Sequence, residues 1–484
     1  MVTSWKSFPV SLPTVAVPSK QYPLDATTFA GADVGAQINA AFASLPVSGG
    51  TVLLPSSAAT YVATTQIVVR ANCRLLLEAL TLQVSAPILC ADGSSIVGIG
   101  IQSVIRPSGH TGSISYAVTN VGNIGLGEGT ASANFDLRLS SFYIDVNATA
   151  NPVNSLGGIW LVNCANCLVE HVVVRNTKGL HTGGIRSFRG TRNTLFHCTA
   201  ENCAYIGLSI ALDKQWSLSH CHAINNGNNG IDTGIGASQG RITDCESTGN
   251  GGNGFNPDTS SDVQVIGGNF SGNTLHGIAV TNLQKNISIV GARVMGNTQT
   301  GIFVNNNANN VTISGCCIGE NAQHGILINA SSSVTVTGCE ITSNGRASKN
   351  TIDGVLIRSA GGNAAKNIIV GNTIKGSSQR YGVSEDSTGG GVVGSNIIAL
   401  NYMVENGTGA VYNLNSSTQT FGNRVDYTGV IAFTTPAGFG NGSAATPVTT
   451  TTKHTGSGPT TPQTIVKYME VNLAGTNYWI PLVQ

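Results

Sequence analysis

Two carboxylates, Asp232 and Asp258, stand in consecutive glycine-led apolar runs, Gly230-Ile231-Asp232 and Gly254-Phe255-Asn256-Pro257-Asp258. If such runs stack as neighbouring strands, the acids lie one strand and two residues apart, about 8 Å between Cα atoms. Carboxyl groups ~6.5–9.5 Å apart leave room for a water between a general acid and a general base, the arrangement of inverting glycoside hydrolysis. A carboxylate crowded by another has a raised pKa, which a general acid requires. Asp213 and Lys214 close the run before Asp232, and His276 precedes Gly277 in the run after Asp258. Trp160, Arg186 and Asn256 share the position of Asp232 on neighbouring runs, and Phe188 shares that of Asp258. Aromatic rings suit the C–H faces of sugars. The expected site therefore has Asp232, Asp258 and Asp213 as catalytic groups. Arg186, Trp160, Phe188, Asn256, His276 and Lys214 are its expected substrate contacts. Singly, each has an ordinary explanation: Asp232 as an outward polar residue, Asp258 as a turn cap after Pro257, His276 as a side chain satisfied by the next turn. Only the cluster points to chemistry.

The elements that position these residues follow from a period. Asn202, Asn226, Asn250, Asn273, Asn297, Asn321 and Asn344 recur at steps of 24, 24, 23, 24, 24 and 23 residues. Behind them come Gly207-Leu208, Gly230-Ile231, Gly254-Phe255, Gly277-Ile278, Gly301-Ile302 and Gly325-Ile326. Within Gly301–Asn321, three short alternating stretches are separated by Gly/Asn turns and no helical pattern intervenes. Three strands per ~24-residue unit close one coil of a parallel β-helix, each strand pairing one coil along at ~4.8 Å. The Asn column fits left-handed turns and side-chain amides bonded up the stack. Cys221, Cys245, Ala292, Cys316 and Cys339 form an inward row. Cys198, His222, Glu246, Arg293, Cys317 and Glu340 form an outward one. Counting from each Gly, the second and fourth residues face out.

Only 10% of the 484 residues are charged, against about 25% for a typical globular chain. A Ser/Thr/Asn/Gly-coated solenoid accounts for this. A formal charge of +1 argues against non-specific nucleic-acid binding, and no apolar run is long enough to span a membrane. The eleven cysteines read mainly as free core thiols, with Cys164 and Cys167 too isolated a pair for a zinc site. Met1 to Lys20 lacks a signal-peptide core. The expected organisation is an N-terminal extension over 1–30, then the β-helix over 31–425. A capping helix over 33–45 starts at Asp33 and carries Val34, Ile38, Phe42 and Leu45 on one face. A Thr/Gly/Pro-rich linker over 426–464 and a β-hairpin over 465–484 follow. Arg106–Asn154 is too long for one coil and should carry a protruding loop. Two later coils are long as well, and His324, Asp353 and Arg358 beside them form a second candidate patch.

Ala32–Phe42 followed by Gly49-Gly50-Thr51-Val52-Leu53-Leu54-Pro55 resembles the N-terminal segment of the pectate-lyase-like right-handed parallel β-helix superfamily. With the coils, the resemblance spans roughly 25–425. It implies an all-β fold, and a membership of lyases, hydrolases, transferases, epimerases and phage tailspikes too varied to name one reaction. Asn229-Gly230-Ile231-Asp232-Thr233-Gly234 and Asn253–Asp258 look like the catalytic coils of mannuronan C5-epimerases and alginate lyases. There a Tyr-Gly-Phe-Asp-Pro-His segment supplies the reacting groups. Asp232 and Asp258 match that pattern's acids, while Asn229 and Gly234 stand where it has Tyr and His.

Three readings follow. A glycoside hydrolase using the paired acids, without cofactor, stands first. A polysaccharide lyase or uronate epimerase, served by Arg186, Lys214 and His276 or by Ca²⁺ held by the Asp residues, stands second. A non-catalytic adhesin or tailspike-like module stands third. The expected partner is a polysaccharide or oligosaccharide met outside the cell or at its surface, and the expected assembly a monomer or homotrimer.

Overall fold

The computed structural model describes residues 23–425 apart from 112–113, 122–132, 147–150, 181 and 413, together with the backbone of 467–473 and 476–482. The chain divides into two compact units at Asp426 and Tyr427.

Among the described residues of the first unit, every strand pairs in parallel with its equivalent one coil along. One face is a sheet of 16 strands, a second has 14, and the third is divided into sheets of 8 and 5. The unit Gly301–Asn321 has the three expected strands, Ile302–Asn305, Asn309–Ser314 and Cys317–Gly319. Their inward residues Ile302, Val304, Val311, Ile313 and Ile318 are buried. They join one hydrophobic core that runs from the capping helix to the last coils.

The helix, α1 (Val34–Ser44), starts at Asp33, whose carboxylate accepts from Ala36 N at 2.8 Å. Burial works against that charge, but bonds from Thr64, Ala36 and Thr65 hold the carboxyl well below the usual range. Val34, Ile38, Ala41 and Phe42 close the open end of the core. The solenoid begins earlier than expected: Leu24–Asp25 already pairs with the strand Gly50–Leu54.

The asparagine column is a buried ladder. Asn226 Nδ2 donates to Asn250 Oδ1 at 2.9 Å, and the chain continues through Asn273 (3.0 Å), Asn297 (3.1 Å), Asn321 (2.9 Å) and Asn344 (2.9 Å). Gln379 takes the next rung at 3.1 Å, and hands on to Asn406 at 2.8 Å. Each ring of the repeat thus places an amide where it satisfies backbone groups of the coil before it: Asn273 Oδ1 also accepts from Asn250 N, and its Nδ2 also donates to Ser247 O.

Two expectations change here. The left-handed residue is the one before the ladder: Asn225, Gly249, Gly272, Gly296, Glu320 and Ser343 have φ between 53° and 67°. Asn202 belongs to that outer column (φ 52°), and Cys203 holds the rung, its N–H donating to Asn226 Oδ1. The slip of one residue also turns Cys198 inward, fully buried. The glycine after each rung answers to space: a Cβ on Gly301 would lie 2.7 Å from both Asn321 Nδ2 and Gly325 O.

Within Arg106–Asn154, strands Ile114–Asn120, Asn134–Phe135, Arg138–Ser140 and Tyr143–Asp145 complete a coil. The protruding loop expected there would fall on 122–132, outside the described residues, as does the linker. All eleven cysteines are free, and Cys317 alone among them is exposed. In the second unit, Lys467–Leu473 pairs antiparallel with Thr476–Leu482, the expected hairpin. No helix among the described residues is long and apolar enough to cross a membrane.

Candidate functional site

The site lies on the 14-stranded sheet. Strand register aligns Trp160 with Arg186, Arg186 with Ser209, Ser209 with Asp232, and Asp232 with Asn256. This is the outward column read from the repeat. It opens on a cavity of about 460 Å³ lined by Tyr116, Trp160, Arg186, Phe188, Tyr205, Ser209 and Asp232.

The aromatic end is sunk below the surface. Trp160 and Phe188 face out of the coil yet are only 3% and 5% exposed, packed with Tyr116, Val162 and Ala211 in a cluster separate from the main core. The Tyr116 and Trp160 ring centroids are 4.9 Å apart. The Arg186 guanidinium lies 5.2 Å from the Trp160 ring centroid and 5.3 Å from that of Phe188, a cation held between two ring faces.

Asp232 is 7% exposed. Asn229 Nδ2 and Asn256 Nδ2 both donate to its Oδ2, at 2.7 and 3.1 Å. Burial raises its pKa, and the charge of Asp258 pushes the same way. The two amides and Arg186 oppose them without cancelling the shift. Asp258 is half-buried at the next coil, just outside the cavity lining, where Asn282 Nδ2 donates to its Oδ1 at 3.0 Å. An acid whose pKa is raised inside a cavity, beside a more open carboxyl group, is a division of labour suited to acid–base chemistry.

Besides Asp258 and Asn256, which adjoin Asp232 without lining the cavity, three more expected residues lie outside that lining. Asp213 is fully buried and points inward; Ser187 Oγ donates to it at 2.5 Å and Gly190 N at 2.7 Å. The left-handed Leu212 (φ 58°) breaks the strand alternation just before it, so this acid anchors a turn. Lys214 is exposed on the same turn, bridging Thr191 and Ser238 along the backbone. His276 sits at the rim two coils beyond Asp232. Its Nδ1 accepts from Thr300 N at 3.2 Å and its ring stacks on Phe303 at 4.6 Å. Burial lowers its pKa to about 4, so at neutral pH the ring is uncharged with its proton on Nε2.

Asp213 supplies a pH prediction. Burial raises its pKa from 3.8 to about 6. The folded chain therefore holds this proton more tightly than the unfolded one. That contribution to stability is complete below about pH 3.8 and is lost as pH rises through about 6. The melting temperature of Asp213→Asn, measured relative to wild type, should climb between pH 4 and 7. A difference that stays flat across that window would show that Asp213 does not titrate there.

Sequence reasoning missed Tyr116 and Tyr205. Tyr205 was within reach, two residues ahead of Gly207 on the coil before Asp232; extending the column count backwards from the glycine would have found it. Tyr116 arrives through the pairing of Ile114–Asn120 with Ser155–Val162, across an irregular coil that carries no repeat signal.

With this geometry in place, comparisons place the fold. The profile of the family described as "right handed beta helix region" matches residues 132–270. The A-module of mannuronan C-5 epimerase AlgE6 from Azotobacter vinelandii superposes with a TM-score of 0.55 at 16% identity, covering 84% of this chain and all of that one. The chain is a right-handed parallel β-helix. The AlgE4 A-module from the same organism gives 0.52 at 14% identity, again covering 84% of this chain and 100% of the module. PfbA, a surface adhesin of Streptococcus pneumoniae, gives 0.51 at 10% identity over 95% of this chain and 98% of its own. A search of curated proteins finds no match. A second profile, described as periplasmic copper-binding protein (NosD), matches residues 233–349. Copper needs converging soft or imidazole donors. Among the described residues no group of three or more His, Cys, Asp or Glu side chains is placed to hold a metal ion, and Cys245, Cys316 and Cys339 in that span are buried in the core. These residues do not fit copper.

Proposed function

We propose that this β-helix is an enzyme acting on a polysaccharide outside the cell, and that it hydrolyses a glycosidic bond in the cavity at Asp232. The observation that carries the reading is the state of Asp232. Burial inside a cavity whose walls include Trp160, Phe188, Tyr116 and Tyr205 pushes its carboxyl towards the neutral form. Asp232 donates its proton to the leaving oxygen, and Asp258, the more exposed acid, activates water from the other side. The ring faces hold the sugar, and Arg186 and Asn256 orient its polar groups. Likeness to two epimerase modules adds an analogy at the level of fold.

A second reading, elimination or epimerisation at a uronate, is favoured by one observation. The cavity sets Tyr205 and Tyr116 beside Arg186 and Asp232, so phenol groups stand near a cation able to neutralise a sugar carboxylate. Soluble polyuronates, fructans, glucans and galactans incubated with the protein separate the two. New reducing ends without ultraviolet absorbance support hydrolysis. Reducing ends with absorbance from an unsaturated sugar mean elimination, and a change of uronate configuration without cleavage means epimerisation. No change in any glycan counts against both.

A further inference from the structure

The sheet that carries the cavity continues for seven more coils, and its far end is built with equal care. Register carries the outward column from Asp232 through Asn256, Ala279, Phe303, Leu327 and Leu356 to Ser384 and Tyr412. At ~4.8 Å per coil, Tyr412 lies roughly 34 Å from Asp232. Between them Phe303, Leu327 and Leu356 make an apolar floor. Asn305, Asn329 and Arg358 edge it on one side, His276 and His324 on the other.

At the end of that floor the Tyr381 and Tyr412 rings stack, with centroids 4.5 Å apart and planes within 7°. Tyr412 is 48% exposed. The Arg380 guanidinium lies 5.0 Å from the Tyr381 ring centroid and 6.0 Å from that of Tyr412. Its direction is set by Asp353, which takes Arg380 Nε at 2.9 Å and Nη2 at 2.8 Å. Ser384 Oγ (2.5 Å) and Tyr381 N (3.2 Å) also donate to that carboxylate, which is itself 0% exposed. A buried acid locked by four donors is a costly way to aim one partly exposed arginine. Solenoid closure does not need it, because Gln379 already completes the ladder here.

We propose that the Tyr381–Tyr412 stack with Arg380 is a second carbohydrate-binding site, remote from the cavity, which holds a distant sugar of the same glycan chain along the solenoid axis. The exposed ring takes a sugar's C–H face, and the guanidinium takes its hydroxyl oxygens. The inference rests in part on the proposed function, because it makes the substrate a long polymer; oligosaccharides too short to span both sites gain nothing from it.

The test is affinity electrophoresis of the full chain through gels containing each glycan of the panel, in the Asp232→Asn background so that turnover cannot interfere. Tyr412→Ala should weaken retardation at least tenfold in apparent Kd. Tyr412→Phe, which keeps the ring, should match its parent, and melting curves should coincide for all three. Arg380 is left in place because its removal would strand the Asp353 charge. Equal retardation of the Ala variant and its parent, or no retardation by any glycan, overturns the proposal. A glycan that binds through Tyr412 but is never altered by wild type sinks the enzymatic reading and leaves this site standing.

Discussion

Asp232→Asn should abolish turnover and leave the solenoid as stable as wild type or more so. The side chain is nearly isosteric, and Asn229 and Asn256 stay where they are. What disappears is a carboxyl group that burial has already pushed towards its neutral form. An acid with a raised folded pKa costs stability at neutral pH, so a neutral amide in its place removes that cost. The rate answers to different physics: without a proton to donate, the leaving oxygen departs as an anion. Loss of a positioned general acid removes about 10²–10⁴-fold in rate. Initial rates on the responsive glycan and a melting curve at pH 7 check both halves. Unchanged turnover would move the chemistry away from Asp232, and a collapsed melting temperature would make its role structural. In wild type, activity should fall as pH rises through the elevated pKa of Asp232, because the acid works only while protonated.

Asn273→Ala should be among the most damaging single changes in the coils. Asn273 sits mid-ladder with no exposure. Its Oδ1 accepts from Asn250 N and Asn250 Nδ2, and its Nδ2 donates to Ser247 O and Asn297 Oδ1. Alanine leaves Asn250 N and Ser247 O without these partners where water does not reach, while Asn250 Nδ2 keeps Ala223 O and Asn297 Oδ1 keeps the backbone N–H of residue 273. Each buried unsatisfied group costs about 1–3 kcal/mol, so a total on the order of 3–5 kcal/mol is expected. Asn306→Ala is the control. Asn306 Nδ2 also bonds one coil back, to Asn282 Oδ1 at 3.0 Å, but in an exposed ladder, so its loss should cost only about 1 kcal/mol, mostly from placing alanine at its left-handed φ of 55°. Because a solenoid is stabilised coil by coil, hydrogen exchange reads the change best. Protection should fall first around Asn250 and Asn297. Equal effects of the two substitutions would mean that burial does not set the strength of the ladder.

The comparison of Asn202 with Asn226 shows how far a period can be read. Left-handed turn and ladder rung are adjacent positions, and both accept asparagine. In Asn225-Asn226 the two are filled alike, so spacing alone could not tell which of them Asn202 matches. The pair Asn202-Cys203 puts Cys on the rung. Asp213 shows the other limit. Alternation predicts faces only while the chain stays extended, and one left-handed residue, Leu212, turns the next acid from groove to core.

By itself the sequence determined the coil, its three strands, the capping helix and the outward column from Trp160 to Asn256, because parallel pairing repeats one register on every coil. Tertiary structure alone decided depth. Whether an outward side chain meets solvent, a cavity wall or another ring depends on what packs over it, and here that is Tyr116 and Tyr205, brought in from other coils. It also decided that Asp232 is pushed towards its neutral form, since desolvation and the field of a neighbouring charge are properties of assembled space.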